Sequence, residues 1–389
     1  LPQGVFDALL NDAKVKGLAM MVSTTIGSVL LQAGLVLLCA AMVAPAVAGS
    51  AEAARRIAKA HPRVLGSLDR LKALAKERPE AYARMATVAR GVMGEADDHR
   101  RNDDHASMIS LGLVSAIEAD KAMARRAVEM ALTYVDADIR HGHVTFGHDL
   151  GRTGLVYDLC HAAWTEEERQ RFITYFNATV DANVNSETHV FHNAWYGYKH
   201  WGYGISAYAT YYENPRAEEI LAETERDWRE RAAPALELAG AGGGFAEGYY
   251  VHYWLYEWVF FTEVARLCEG KDYYEDAPAF FRKRAIASMF EMYPGIREYG
   301  TRRPIPIGDG GGRRYGGDRD KALSARRILV NRYRDDVAHQ AAHTFNETTP
   351  VSGGGTHAYK DFLWRDETVP TGDLADFPRS HISEGPGYV

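Results

Sequence analysis

The chain reads as an all-α protein built from antiparallel helical hairpins, stacked as a bundle, a solenoid or an α/α toroid. Three observations lead there. Apolar residues recur at helical spacing through most of the chain, the links between these runs are short, and strand signals are nearly absent before Thr349. No strict period repeats, which weighs against a regular TPR or HEAT array.

A short polar helix is expected over Ala53–Ala60, and His61-Pro-Arg-Val-Leu65 starts the mature fold. Ser67–Glu77 places Leu68, Leu71, Leu74 and Ala75 on one face. Pro79 suits the first turn of the next helix, which runs to about Val92. Asp97–Asp104 is a charged link. Helices are then expected at Ala106–Ala119, Lys121–Ile139, Gly154–His161, Thr165–Asn185, Ala194–Tyr212, Ala217–Leu238, Glu247–Glu269, Ala277–Tyr293 and Asp320–Asn331. Thr165 and Glu168 have capping-box spacing, so each can satisfy an orphan amide at a helix start.

Both ends depart from this pattern. No charged residue occurs from Gly17 to Ala51, Lys14 and Lys16 precede that run, and Ala46-Val47-Ala48 has the small-x-small form of a signal-peptidase site. A leader over residues 1–48, and so a secreted or periplasmic protein, is the expectation. The other reading is an uncleaved membrane anchor, since the run is long enough to span a bilayer. From Thr349 glycine and proline accumulate, and Ser383-Glu-Gly-Pro-Gly-Tyr-Val389 looks like entry into a strand. Residues 49–375 are expected to form the helical catalytic domain, and 376–389 the start of a further β-domain.

The 389 residues can bury a sizeable core, and the formal net charge of −7 argues against bulk nucleic-acid binding. A local basic groove can still take an anionic substrate. Without the leader, Cys160 and Cys268 remain, both expected as buried thiols.

The densest chemistry lies between Glu187 and Trp258, in His189-Val-Phe-His-Asn-Ala-Trp-Tyr-Gly-Tyr198 and Gly242-Gly-Gly-Phe-Ala-Glu-Gly-Tyr-Tyr-Val-His-Tyr-Trp254. Aromatic faces stack on sugar rings, while phenol, imidazole and amide groups move protons and donate hydrogen bonds. His141, His143 and His148 come nearest to a metal set, but no acidic or cysteine ligand stands at a recognised spacing, and neither metal nor other cofactor is expected. Gly310–Gly312 lacks the Lys-Ser/Thr of a phosphate loop.

Hydrolysis of a glycoside needs two carboxylates across the bond. Glu247, Glu257 and Asp309 are available, but nothing marks a pair. β-Elimination from a uronic acid needs the C6 carboxylate neutralised, a base for the C5 proton and an acid for the departing O4. His192, Asn193, Tyr250 and nearby arginines meet all three needs.

At this point the chain resembles the heparinase II/III-like polysaccharide lyases, a group that includes alginate and oligo-alginate lyases. The resembling stretches are His61-Pro-Arg-Val-Leu65, Trp164-Thr-Glu-Glu-Glu-Arg-Gln-Arg-Phe172, His192-Asn-Ala-Trp195, Gly243-Gly-Phe-Ala-Glu-Gly-Tyr-Tyr250, Ile307-Gly-Asp309 and Arg379-Ser-His-Ile-Ser-Glu-Gly-Pro-Gly-Tyr-Val389. The resemblance implies an incomplete α/α toroid followed by an antiparallel β-sandwich, with substrate in the cleft between. It implies Asn193 as the carboxylate-neutralising residue, Tyr250 as the catalytic Tyr, with Tyr249 and Tyr253 as rivals for that role, and His192 as base or second neutralising group. Several members read Asn-His where this chain reads His192-Asn193, and the family's further catalytic His usually lies in the β-domain.

The expectation is a lyase acting on an anionic, uronate-containing polysaccharide or oligosaccharide, with no nucleic-acid partner. Candidates for substrate binding are Trp195, Tyr196, Tyr249, Tyr253, Glu247, His148, Arg152, Arg303, Asp309 and Arg313. Tyr256 and Trp258 read as packing, about half of Trp195, Trp201, Tyr203 and Tyr208 as core filling, and His200 as a satisfied core histidine. Asn193 also reads as an N-cap. A glycoside hydrolase, a uronate epimerase and a non-catalytic glycan-binding toroid are the alternative functions.

Overall fold

The structure, a computed structural model, describes residues 55–94, 106–141, 145–183, 195–293, 302, 305, 318–349 and 358–387. These are mostly helical, with no strand among the described residues. Arg56–Val389 forms one compact unit. No helix among the described residues is long and apolar enough to cross a membrane; the apolar run Gly17–Ala51 lies outside them, as does the expected link Asp97–Asp104.

The helices are α1 (Leu68–Glu77), α2 (Pro79–Gly91), α3 (Ser107–Glu118), α4 (Lys121–Val135), α5 (Thr145–Leu159), α6 (Glu166–Asn183), α7 (Trp195–Ala209), α8 (Ala217–Asp227), α9 (Ala233–Ala239), α10 (Val251–Glu269), α11 (Pro278–Phe290), α12 (Asp318–Arg332), α13 (Val337–Glu347) and α14 (Ala358–Trp364). Local chemistry starts several of them. Ser67 accepts from Arg70 N, Asp120 from Ala122 and Met123 N, and Asp336 from Ala338 and His339 N. The capping box forms as read: Thr165 N donates to Glu168 Oε2 at 2.8 Å, and Glu168 N to Thr165 Oγ1 at 3.2 Å.

Three expectations need correction. Residues 55–60 are not helical; Pro62 disfavours helix just before it, and the Ile57 carbonyl accepts from the Tyr212 hydroxyl at 2.6 Å. The expected helix 121–139 ends at Val135. The Phe146–Arg152 stretch, which the expected helix start at Gly154 leaves as a loop, lies inside α5.

The glycines that suggested that loop serve helix packing. A methyl group at Gly151 would lie 1.6 Å from Trp201 Nε1, and one at Gly202 would lie 2.8 Å from Gly147 Cα. Backbones of α5 and α7 therefore meet almost directly. The pairs Gly147–Gly202 and Gly154–Ser206 also show that these helices run parallel.

The same direction continues through the neighbours. Trp201 meets Phe260 at 4.7 Å, and Tyr208 donates to Glu269 at 2.5 Å, so α10 runs parallel to α7. Lys360 lies 4.5 Å over Tyr256, and Trp364 packs on Phe260 at 5.4 Å, which aligns α14. Glu263 and Arg266 share a cavity wall with Ile328 and Arg332, which aligns α12. In order of contact α3 packs on α5, α5 on α7, α7 on α10, α10 on α12, α12 on α14, and α14 returns to α2 and α3. The helices α4, α6, α8, α11 and α13 pack against members of this succession or beside one another.

The core is strongly aromatic. Trp201, Tyr256, Phe260 and Trp364 pack together and Trp364 Nε1 donates to Tyr256 at 3.3 Å. Trp258 packs on Trp228 and Trp254 and donates to His200 Nδ1 at 3.1 Å. Trp201, Tyr203, Tyr208, Tyr256, Trp258 and His200 are all buried, as are both thiols.

Gly151→Ala is expected to destabilise the protein by about 1–3 kcal/mol or more, because the methyl group must displace a buried indole. Gly91→Ala, at the end of α2 with nothing within 4 Å, is expected to be neutral or stabilising by up to about 1 kcal/mol. Thermal melts of the two variants check the contrast.

Candidate functional site

Because α5, α7, α10, α12 and α14 are parallel, their first turns gather at one end of the fold. The candidate residues stand in or just before those turns in sequence. His148 and Arg152 sit in the first half of α5, Trp195 and Tyr196 in the first turn of α7, and Tyr250 immediately before α10. His192, Asn193, Arg303, Asp309 and Arg313 lie outside the described residues, as do the side chains of Trp195, Tyr196, Tyr249 and Tyr253.

Tyr250 closes a 3₁₀ turn, Gly248–Tyr250, and is half-buried; its N–H donates to the Glu247 carbonyl at 3.4 Å. His148 and Glu247 are also half-buried. Arg152 is buried, beside Tyr134 and Asp149. The Asp149 carboxyl is pushed up to about 6 by burial, with Arg140 and Arg152 opposing the shift.

The glycine turn before Tyr250 is clamped from two sides. Gly242 and Gly243 hold φ of +78° and +84°, where L side chains are strained. A methyl group at Gly243 would lie 2.5 Å from the Lys283 carbonyl carbon, and one at Gly242 2.6 Å from the Ile382 carbonyl oxygen. Gly385 N donates to the Ala241 carbonyl at 2.9 Å, and His381 Nε2 bonds the Gly242 carbonyl at 2.6 Å. Two sequence stretches singled out separately, Gly242–Tyr250 and Arg379–Gly387, thus meet in space.

Beneath the turn lies a buried charge network that sequence reasoning missed. Arg284, fully buried on α11, donates to the Gly243 carbonyl and pairs two-pronged with Glu291, with Nη1 2.9 Å from Oε1. His252 Nε2 lies 3.0 Å from Glu291 Oε2. Burial would raise the Glu291 carboxyl, but Arg284 and His252 outweigh it and hold it at about 2. Burial pushes His252 down, Glu291 opposes this, and Arg284 and Arg326 add to the fall. A signal existed: Phe281, Arg284, Ser288 and Glu291 recur at helical spacing, so the charges fall on the apolar stripe.

Arg326 completes the network with no ion pair of its own among the described residues. Buried on α12, it donates to Asn346 Oδ1 at 2.8 Å and Ser288 Oγ at 3.0 Å. Burial and the neighbouring Arg284, Arg327 and Arg302 lower it to about 9. Arg302, half-buried, donates to Thr349 Oγ1 at 2.9 Å and lies 4.1 Å over the Phe345 ring, with no ion pair among the described residues. Among the described residues, positive charge therefore exceeds negative charge here.

A second cluster holds the chain start. Asp158 accepts from Arg63 N, Val64 N and the His61 ring. His61, His161 and Glu213 bring ligand-type atoms within 4.8 Å of one another. However, the two imidazoles stack at 3.8 Å with 8° between planes, so their in-plane lone pairs run side by side and do not converge. The Arg63 guanidinium faces His61 Nε2 and donates to Glu213 at 3.2 Å, in the place a metal ion would take. The arrangement suits an ion-paired latch better than a metal centre.

No protein-family model matches the chain, and no curated protein matches it.

Glu291→Gln is expected to cost about 3–5 kcal/mol at neutral pH by stranding Arg284. The Glu291 carboxyl falls from an ordinary 4.5 to about 2 on folding. Its contribution is therefore intact above about pH 4.5 and drains as pH falls towards 2. Urea melts across that window should show the wild-type protein losing this increment while the variant has none to lose.

Proposed function

We propose that this protein is a polysaccharide lyase that cleaves a uronate-containing polymer by β-elimination, at the end of the fold where the parallel helices begin. The single observation that supports this reading most is the charge imbalance there. Among the described residues neither Arg326 nor Arg302 makes an ion pair, and the half-buried Tyr250 heads the adjacent α10. An anionic sugar is the ligand such a site favours.

Elimination fits the residue types. Asn193 neutralises the C6 carboxylate, so that negative charge developing on loss of the C5 proton is stabilised. His192 or Tyr250 takes that proton, the electron pair becomes the C4–C5 double bond, and Tyr250 protonates the departing O4. The roles of Asn193 and His192 rest on the motif resemblance, since both lie outside the described residues.

The closed succession of helix contacts supports an incomplete α/α toroid. Reading 376–389 as the lead-in to a β-sandwich rests on the motif resemblance; residues 381–387 pack on the glycine turn. The leader pattern supports a secreted or periplasmic location.

On a panel of uronate polysaccharides, one polymer is expected to yield rising ultraviolet absorbance from the conjugated double bond. Tyr250→Phe should lower that rate by about 100-fold or more, and Arg302→Gln should raise KM more than it lowers kcat. New reducing ends without the absorbance would turn the reading to hydrolysis.

A further inference from the structure

At the opposite end of α10 lies a half-open cavity of about 250 Å³ among α1, α10, α12 and α14. Four guanidiniums line it: Arg70, Arg78, Arg266 and Arg332, with Glu263 as the single carboxylate and Asn331 alongside. Arg266 stands sixteen residues beyond Tyr250, about 24 Å along a helix, so this cavity is separate from the site proposed above.

Part of this gathering has a simple cause. The C-termini of α10, α12 and α14 converge here, and helix C-termini favour cations. Arg78 Nη1 donates to the Phe362 and Leu363 carbonyls at 2.9 and 2.6 Å, and Nη2 stands 3.9 Å from Asp366. That role does not use up the donors.

The Arg70 guanidinium makes one hydrogen bond, from Nη1 to the Leu65 carbonyl at 2.9 Å, leaving Nε and Nη2 without an acceptor among the described residues. Arg332 pairs through Nη2 with Asp272 and Glu275, while its buried Nε has no partner. Glu263 cannot serve the rest. One of its oxygens takes both Arg266 Nε and Nη2, at 3.2 and 2.6 Å, and the other takes the Tyr274 hydroxyl at 3.2 Å. Burial lowers the Arg70 guanidinium and the Arg266 charge lowers it further, the mark of like charges crowded together.

We infer that this cavity binds a tetrahedral oxyanion, phosphate or sulfate, free or as the ester of a small molecule. Forked N–H donors converging from several directions match four tetrahedral oxygens better than a planar carboxylate. An anion would also engage the donors that Glu263, Asp272, Glu275 and Asp366 leave unused. The volume suits a small anion or a compact ester, being below that of drug-sized sites.

Isothermal titration of the full chain, at fixed ionic strength, tests this with inorganic phosphate, inorganic sulfate, glucose 6-phosphate and glucuronate as separate probes. One equivalent of phosphate or sulfate should bind, and Arg70→Gln and Arg332→Gln should each weaken binding about tenfold or more. Tighter binding of glucose 6-phosphate than of inorganic phosphate would support the ester form, and the reverse the free ion. Wild-type protein that binds neither phosphate nor sulfate overturns the inference without recourse to variants. So does affinity unchanged in both folded variants, or glucuronate binding as tightly as phosphate.

Discussion

The pairing of Arg284 with Glu291 is the constraint on which the candidate site rests. Two charges taken out of water cost several kcal/mol each unless geometry and further hydrogen bonds compensate. Here the compensation is structural, since Arg284 also holds the Gly243 carbonyl and Glu291 also holds His252. One ion pair therefore joins α11, the glycine turn and the first turn of α10. Tyr250 stands between the last two, so its position follows from a contact that it does not itself make.

The charge distribution then divides the molecule. Close to Glu291 the charges are paired, but outward from it, among the described residues, Arg326 and Arg302 rest on neutral acceptors and an aromatic ring. A surface site with that excess attracts anions and gains strength from partial burial. The far end of α10 has a different balance, in which arginines answer converging helix C-termini yet still retain free donors. An overall net charge of −7 conceals both features.

Much of the helical pattern was legible in the chain, because amphipathic spacing and caps are local. The Thr165–Glu168 box, the Ser67–Glu77 helix and the buried character of Trp258, Cys160 and Cys268 follow directly from it. The start of α5 did not, since Gly147, Gly151 and Gly154 look like loop residues until the tight approach of α7 is seen. The helix α13 escaped because it is short and dense in His, Gln and Thr; α14 escaped because glycines precede it and its run is only seven residues. For the site, residue types pointed to the Tyr250 stretch, whereas Arg284, Glu291 and Arg326 are joined only by tertiary contact. Their charges on apolar stripes were the available sign.

The central claim is that the Tyr250 end of the fold breaks a uronate polymer by elimination. The most direct test is the mass of the smallest products formed by full-length enzyme. Elimination adds no water, so the fragment masses sum to that of the parent chain, and the new non-reducing end is one water lighter than a saturated sugar. That deficit, absent when Tyr250 is replaced by phenylalanine, is the result this account predicts. Fragments that are all saturated, each cleavage having taken up one water, would contradict it.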